Sequence, residues 1–96
     1  MKDVLQEARR ATLARRKAYG QPLDNLTRTA ALWAGILGHS ITAEEVALCM
    51  AAVKLARECH RHQKDNLVDL AGYAACVQAV HDERNRRQSG RKAGKK

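Results

Sequence analysis

Residues 41–46, ITAEEV, spell a helix start that leaves little room for any other local structure. Thr42 can accept the N–H three residues on, Glu45 can reach back to the Thr42 N–H, and Ile41 and Val46 can staple across the pair. Donors that every helix N-terminus would otherwise leave unpaired are thus satisfied before any tertiary contact forms. The helix this predicts runs on through ALCMAAVKLARECHRH to about His62, with Val46, Met50 and Val53 inward and Leu48 and Leu55 widening the apolar arc.

The flanking punctuation extends the pattern. Gly38 closes a helix predicted from Leu26 to Leu37, whose Leu26, Ala30, Trp33 and Leu37 share one stripe. Upstream, Gly20 and Pro22 stop an arginine-rich amphipathic helix over residues 2–18, and Asp24 or Asn25 offers a cap for the next one. Downstream, Asp65 or Asn66 starts a fourth helix with Leu67, Leu70, Ala74 and Val77 inward, fraying after Glu83. The expected fold class is all-α, a compact bundle of about four helices.

A chain of 96 residues holds one domain with a modest core, and its apolar set is dominated by Ala, with no Phe and one Trp. Small side chains let helices approach closely but bury little area, so completion of the bundle by homo-oligomerisation is expected. The net charge of +8 is unevenly placed: residues 84–96 hold seven of the eighteen Lys and Arg and none of the ten acids. Residues 1–83 therefore read as a nearly neutral helical domain, and 84–96 as a basic, disordered tail that is either solvated or an arm for nucleic acid. The tail has no aromatic group to stack on a base. Cys49, Cys59 and Cys76 form an odd set with no CxxC spacing, which suits a reducing cytoplasm, and no apolar run is long enough to enter a membrane. ECHRH at 58–62 has zinc-binding residue types but no second ligand pair.

The stretch KDNLVDLAGYAACVQ, residues 64–78, carries two acids in a packing helix. On a wheel with Asp65 at zero, Asp69 falls near about 40° and Val80 near about 60°, whereas Leu67 and Ala74 fall near about 200° and 180°. Asp69 thus lies on a side that continues as Gly72, Tyr73, Cys76 and Val80, opposite the Leu/Ala stripe. A helix apolar on both sides is enclosed, so Asp69 is expected to be partly buried and to need a cation, a metal or several donors. Asp65 reads as an N-cap or as a ligand.

YGQPLDNLTRTAALWAGILG, ITAEEVALCMAAVKLAR and KDNLVDLAGYAACV, in that order over about residues 19–78, resemble a family of small uncharacterised phage and prophage proteins. That family is described as similar to MazG-type all-α nucleoside triphosphate pyrophosphohydrolases, in which EExxE on one helix and ExxD on another hold Mg²⁺ ions around a triphosphate. The resemblance implies a nucleotide-directed protein of the host-cell cytoplasm, with Glu58, Asp65 and Asp69 as Mg²⁺ ligands. It also implies that Asn25, Lys54, Arg57 and Tyr73 face the substrate. KLARECHR keeps only Glu58 of the first motif, with Arg57 and Cys59 where acids would help, while DNLVDLAGY keeps Asp65, Asp69 and Tyr73.

Each candidate also has a structural role open to it: Asn25 as a cap, Glu45 in its capping box, Lys54 and Glu58 as an i, i+4 ion pair, and Trp33 in the core. Tyr19 and Trp33 could equally stack on a nucleobase. Three functions follow. One is a pyrophosphohydrolase or degenerate relative, its catalytic residue unassigned. A second is a non-catalytic nucleotide sponge that sequesters a host signal, an anti-defence role; phosphate can be held by Arg, Lys and helix N-termini without metal acids. The third is a small nucleic-acid-binding or scaffold protein using the basic tail.

Overall fold

The computed structural model describes residues 3–94, with side chains to residue 90. Four helices follow one another: α1 Val4–Tyr19, α2 Pro22–Leu37, α3 Ala43–His60 and α4 Lys64–Gly94. Among the described residues there is no strand, and no helix is long and apolar enough to cross a membrane. Lys95 and Lys96 of the basic tail lie outside the described residues.

The ITAEEV capping box forms as its chemistry requires, with Thr42 Oγ1 accepting from Glu45 N at 3.1 Å and Glu45 Oε1 accepting from Thr42 N at 2.8 Å. A second box, spelled by Asp3 and Gln6, opens α1: Gln6 N donates to Asp3 Oδ1 at 2.8 Å and Asp3 N to Gln6 Oε1 at 3.3 Å. Gly38 closes α2 in the left-handed conformation, φ 79°, donating to Ala34 O at 2.8 Å. The start of α2 differs from the sequence expectation. Pro22 is the first helical residue, where its fixed φ fits and its missing N–H leaves no bond unmade. Asp24 and Asn25 therefore lie inside α2 rather than capping it, and Asp65 falls in the first turn of α4 rather than ahead of it.

Helix α4 is the spine, packing against all three other helices and most extensively against α3. Val80 and Val46 are fully buried, in a cluster with Leu23, Leu26, Ala30, Ala43 and Ala47. The inward residues of α4 only partly follow the predicted stripe. Leu67, Leu70 and Val77 are half-buried, Ala74 is exposed, and the fully covered apolar positions are Val68 and Val80. The reason is that the buried residues of α4, Asn66, Val68, Val80 and Glu83, all lie on the same side of the helix as Asp69, Gly72 and Cys76, so the core face is the one opposite the predicted Leu67/Ala74 stripe. Similarly, Val53, Leu48 and Leu55 of α3 are exposed.

Beyond Glu83, where the periodic pattern ends, α4 continues to Gly94. Its basic residues reach back to the acids in the first turns of the other helices. Arg84 grips Glu44 of α3, with Nη2 donating to Oε1 at 2.8 Å, and Arg87 donates to both oxygens of Asp24 of α2 at 2.8 and 3.0 Å. Glu83, itself buried, accepts from Arg86 Nε at 2.8 Å and Arg87 Nε at 2.7 Å.

The resulting body measures 53 × 37 × 19 Å, with a radius of gyration of 15.2 Å. A compact chain of this length would have a radius of about 12–13 Å, and 19 Å is less than two full helix diameters of about 10–12 Å each. The bundle is thus a thin slab, which is why large apolar residues such as Leu13, Leu32, Ile36, Leu48 and Leu55 stay in solvent.

The Arg84 hydrogen bond holds the Glu44 carboxyl down from 4.5 to about 2, outweighing partial desolvation, and Arg86 and Arg87 hold Glu83 to about 2 in the same way. A carboxylate depressed in the folded state contributes stability that is fully present above its unfolded pKa and is lost as pH falls through the folded one. The melting temperature is therefore expected to drop as pH is lowered from about 4.5 to about 2, and Glu44→Gln should flatten part of that drop. At neutral pH, Arg84→Ala should cost about 1 kcal/mol or less in urea unfolding, the range for ion pairs within reach of solvent.

Candidate ligand-binding site

The last two turns of α1 carry Thr12, Arg15, Arg16 and Tyr19, spaced i, i+3, i+4, i+7 and so on one face. This face forms one wall of a cavity of about 370 Å³ whose other walls come from α2, α3 and α4. Its volume is at the small end of ligand pockets, about 300–1,000 Å³. Leu26, Val46 and Met50 make the floor apolar, while Asn25, Thr29 and Tyr73 contribute polar groups.

The guanidinium of Arg15 stands over the Tyr73 ring, 5.3 Å from its centroid, which fixes the cation at the cavity wall by a cation–π contact. No ion pair among the described residues engages Arg15 or Arg16, whereas Arg84, Arg86 and Arg87 are all tied to acids. Trp33 packs against the buried cluster, the core role read from its stripe, and also lines the cavity. The Asn25 carbonyl accepts from Thr29 Oγ1 at 3.1 Å, and its amide side chain makes no hydrogen bond to another described residue. Burial pushes the Cys76 thiol up against the opposing pull of Arg15 and Arg16, so this lining residue stays a neutral thiol rather than a nucleophilic or metal-binding thiolate.

Asp69 finds its cation in Lys54, with Nζ 3.0 Å from Oδ2 and side-chain exposures of 15% and 26%. Lys54 is thus joined across the α3–α4 interface, and its alternative partner Glu58 is engaged elsewhere. Glu58 accepts from His62, from Asn66 Nδ2 at 3.1 Å and from Gln63 N at 3.1 Å, knotting the link between α3 and α4. The His62 bond, followed by Asn66 and the Gln63 N–H, lowers the Glu58 pKa. Asp65 is exposed at a shallow groove shared with Glu7, Arg10 and Asp69, and Arg57, in the last turn of α3, is exposed beside His60, Arg61 and Asn66 at the α3–α4 link.

Of the residues singled out in the sequence, Asn25 and Tyr73 therefore meet at one cavity, while Lys54, Arg57, Glu58, Asp65 and Asp69 are spread over other surfaces. Among the described residues, no group of three or more His, Cys, Asp or Glu could hold a metal ion. Glu58 and Asp69 already have protein donors, so these acids do not fit the Mg²⁺ role and no chemical step is derived through the metal. The ECHRH run forms no zinc cluster for the same reason. The arginines of the first helix read from sequence as facing solvent or an anionic ligand, and Arg15 and Arg16 are the two at the cavity; the signal that singles them out is the i, i+3, i+4, i+7 face they share with Thr12 and Tyr19.

Four helices with a cavity lined by aromatic and cationic side chains make this a small all-α protein whose candidate site carries arginines rather than clustered acids. The chain belongs to the family described as Domain of unknown function (DUF6378), whose model matches residues 3–81. That match takes in α1, so Arg15 and Arg16 lie within the family region, and it stops short of the Arg84 and Arg87 clamps. The chain is 36% identical over 83 residues to the Gene 55 protein of Mycobacterium phage D29, a match covering 84% of this chain and 55% of that protein. The chain thus spans about half the length of that phage relative. No solved structure matches it.

The Lys54–Asp69 pair allows a direct test of its role. Asp69→Ala leaves a largely buried ammonium unpaired and should cost about 1–3 kcal/mol in chemical denaturation. The double substitution Lys54→Met with Asp69→Leu should recover most of that loss, because no unpaired charge remains. A double variant as unstable as Asp69→Ala would mean that the pair is not what holds this interface.

Proposed function

We propose that this protein binds a nucleotide or nucleotide-derived anion in the α1–α4 cavity and holds it without hydrolysis. The observation that carries the reading is the pairing of two cations with no ion-pair partner among the described residues, Arg15 and Arg16, with Tyr19, Trp33 and Tyr73 at one cavity. Guanidinium groups recognise phosphate by bidentate hydrogen bonds, and aromatic faces stack on a base. The Asn25 amide adds a donor and an acceptor suited to a base edge. Dispersal of Glu58, Asp65 and Asp69 favours binding over pyrophosphohydrolysis. On this reading the MazG-like resemblance reflects a relative that has given up its Mg²⁺ acids.

A phage-encoded relative favours action in the host cytoplasm, with sequestration of a host nucleotide signal, an anti-defence role, as the biological use. Association between copies belongs to the same reading, since a slab 19 Å thick leaves apolar surface uncovered. The nucleic-acid reading has less support, because Arg84, Arg86 and Arg87 are taken up by Glu44, Glu83 and Asp24.

Trp33 is the sole tryptophan and reports on the cavity directly. Titration with a panel of nucleotides, with and without Mg²⁺, should give saturable, Mg²⁺-independent fluorescence quenching by at least one of them. Arg15→Ala with Arg16→Ala should weaken that binding at least about tenfold, equivalent to about 1.4 kcal/mol. Silence across the panel would overturn nucleotide binding, and release of pyrophosphate or recovery of a cleaved product would overturn sequestration.

A further inference from the structure

The charge of the cavity is small and fixed. With Thr12 at zero on a wheel, Arg15, Tyr19 and Arg16 fall near about 300°, 340° and 40°, the face of α1 turned to the cavity. The other cations of α1 stand apart from it. Lys17 and Arg10 fall near about 140° and 160°, and Arg9 shares the direction of Arg16 but lies two turns away, about 10 Å along the axis, past the Thr12 end. Among the described residues no acid, Lys or His lines the cavity, so its charge is that of two guanidiniums. Asp69, which shares a small void with Arg15, is neutralised by Lys54 and leaves that count unchanged.

Donors are as few as charges. Thr12 Oγ1 donates to Ala8 O at 2.8 Å and Thr29 Oγ1 to Asn25 O at 3.1 Å, so both threonine hydroxyl protons are engaged within their own helices. The two guanidinium forks are left as the charged donors to an anion, with the Tyr19 hydroxyl beside them and the Asn25 amide facing the same space.

We infer that the ligand of this cavity is a nucleoside monophosphate, gripped at its terminal phosphate by Arg15 and Arg16, and not a nucleoside triphosphate; the inference rests on the nucleotide reading above. A phosphate monoester carries a charge of about −1.5 to −2 at neutral pH and three strong acceptor oxygens, which matches two guanidiniums in charge and gives each fork oxygens to hold. In a triphosphate the phosphate next to the sugar is bridged on both sides and offers fewer free oxygens. Its outer phosphates add negative charge that no further cation of the cavity offsets. Triphosphate sites meet that charge with Mg²⁺ carried on carboxylates, and no such acid group exists among the described residues. Size agrees with charge, since about 370 Å³ is small for a ligand pocket.

Calorimetric titration of the full chain with each of the four ribonucleosides and its 5′-mono-, di- and triphosphate, with and without Mg²⁺, tests this. For the base that binds, the monophosphate should be tightest, the nucleoside at least about tenfold weaker and the triphosphate about three- to tenfold weaker. Arg16→Ala should remove most of the advantage of the monophosphate over the nucleoside. Tyr19→Arg, at an exposed position of the same helix face, places a third guanidinium at the cavity and should narrow the gap between triphosphate and monophosphate. Loss of the ring affects both ligands alike, so that ratio reads charge alone. A triphosphate as tight as the monophosphate, or tightest once Mg²⁺ is added, would overturn the monophosphate assignment and leave nucleotide binding standing. A nucleoside as tight as its monophosphate would overturn it too, by removing the phosphate from recognition. Silence across all four series would overturn the nucleotide reading itself.

Discussion

The packing around Val80 is the constraint on which the rest of this molecule depends. Val80 lies fully buried among Leu23, Leu26 and Ala30 of α2 and Ala43, Val46 and Ala47 of α3. Three of those six neighbours are alanines, so the three helices approach closely around a core of small volume. A core of that kind buries limited apolar area. The fold supplements it with interactions that act at the helix ends: two capping boxes, and arginines of α4 that bind acids in the first turns of α2 and α3.

The cavity inherits its form from that arrangement. Tyr73 and Cys76 lie two turns and one turn before Val80 on α4, so anchoring Val80 sets their positions beside α2. Helix α1 contributes one buried residue, Ala8, and a Glu7–Lys64 ion pair of 2.6 Å. Its cationic face is placed by leaning on α4 rather than by a core of its own. Arg15 and Arg16 stand exposed on that face, and the Tyr73 ring holds Arg15 at the cavity.

The acids that resemble a metal site do different work here. Asp69 neutralises Lys54 at the α3–α4 interface, and Glu58 ties down the link between those helices through His62, Gln63 and Asn66. Both are partly covered and both already have donors, so a cation would compete with protein contacts that support the fold. A carboxylate pattern retained on a helix can therefore reflect packing and charge pairing as readily as catalysis.

The four helices, and most of their ends, were legible in the sequence because caps and breakers act within four residues of one another: Thr42 with Glu45, and Gly38 with Ala34. The wheel also showed that Asp69 needed a partner, since burial of a carboxylate on an apolar face is a local property of α4. What the sequence by itself determined was this local level: four helices with most of their ends, and a carboxylate awaiting a cation. Only tertiary structure decided that the cation is Lys54, that Arg84 and Arg87 clasp Glu44 and Asp24 from 40 and 63 residues away, and that Arg15 faces Tyr73 across a cavity. Those distances close only once α4 has packed against three helices, and no periodicity within one segment carries that information.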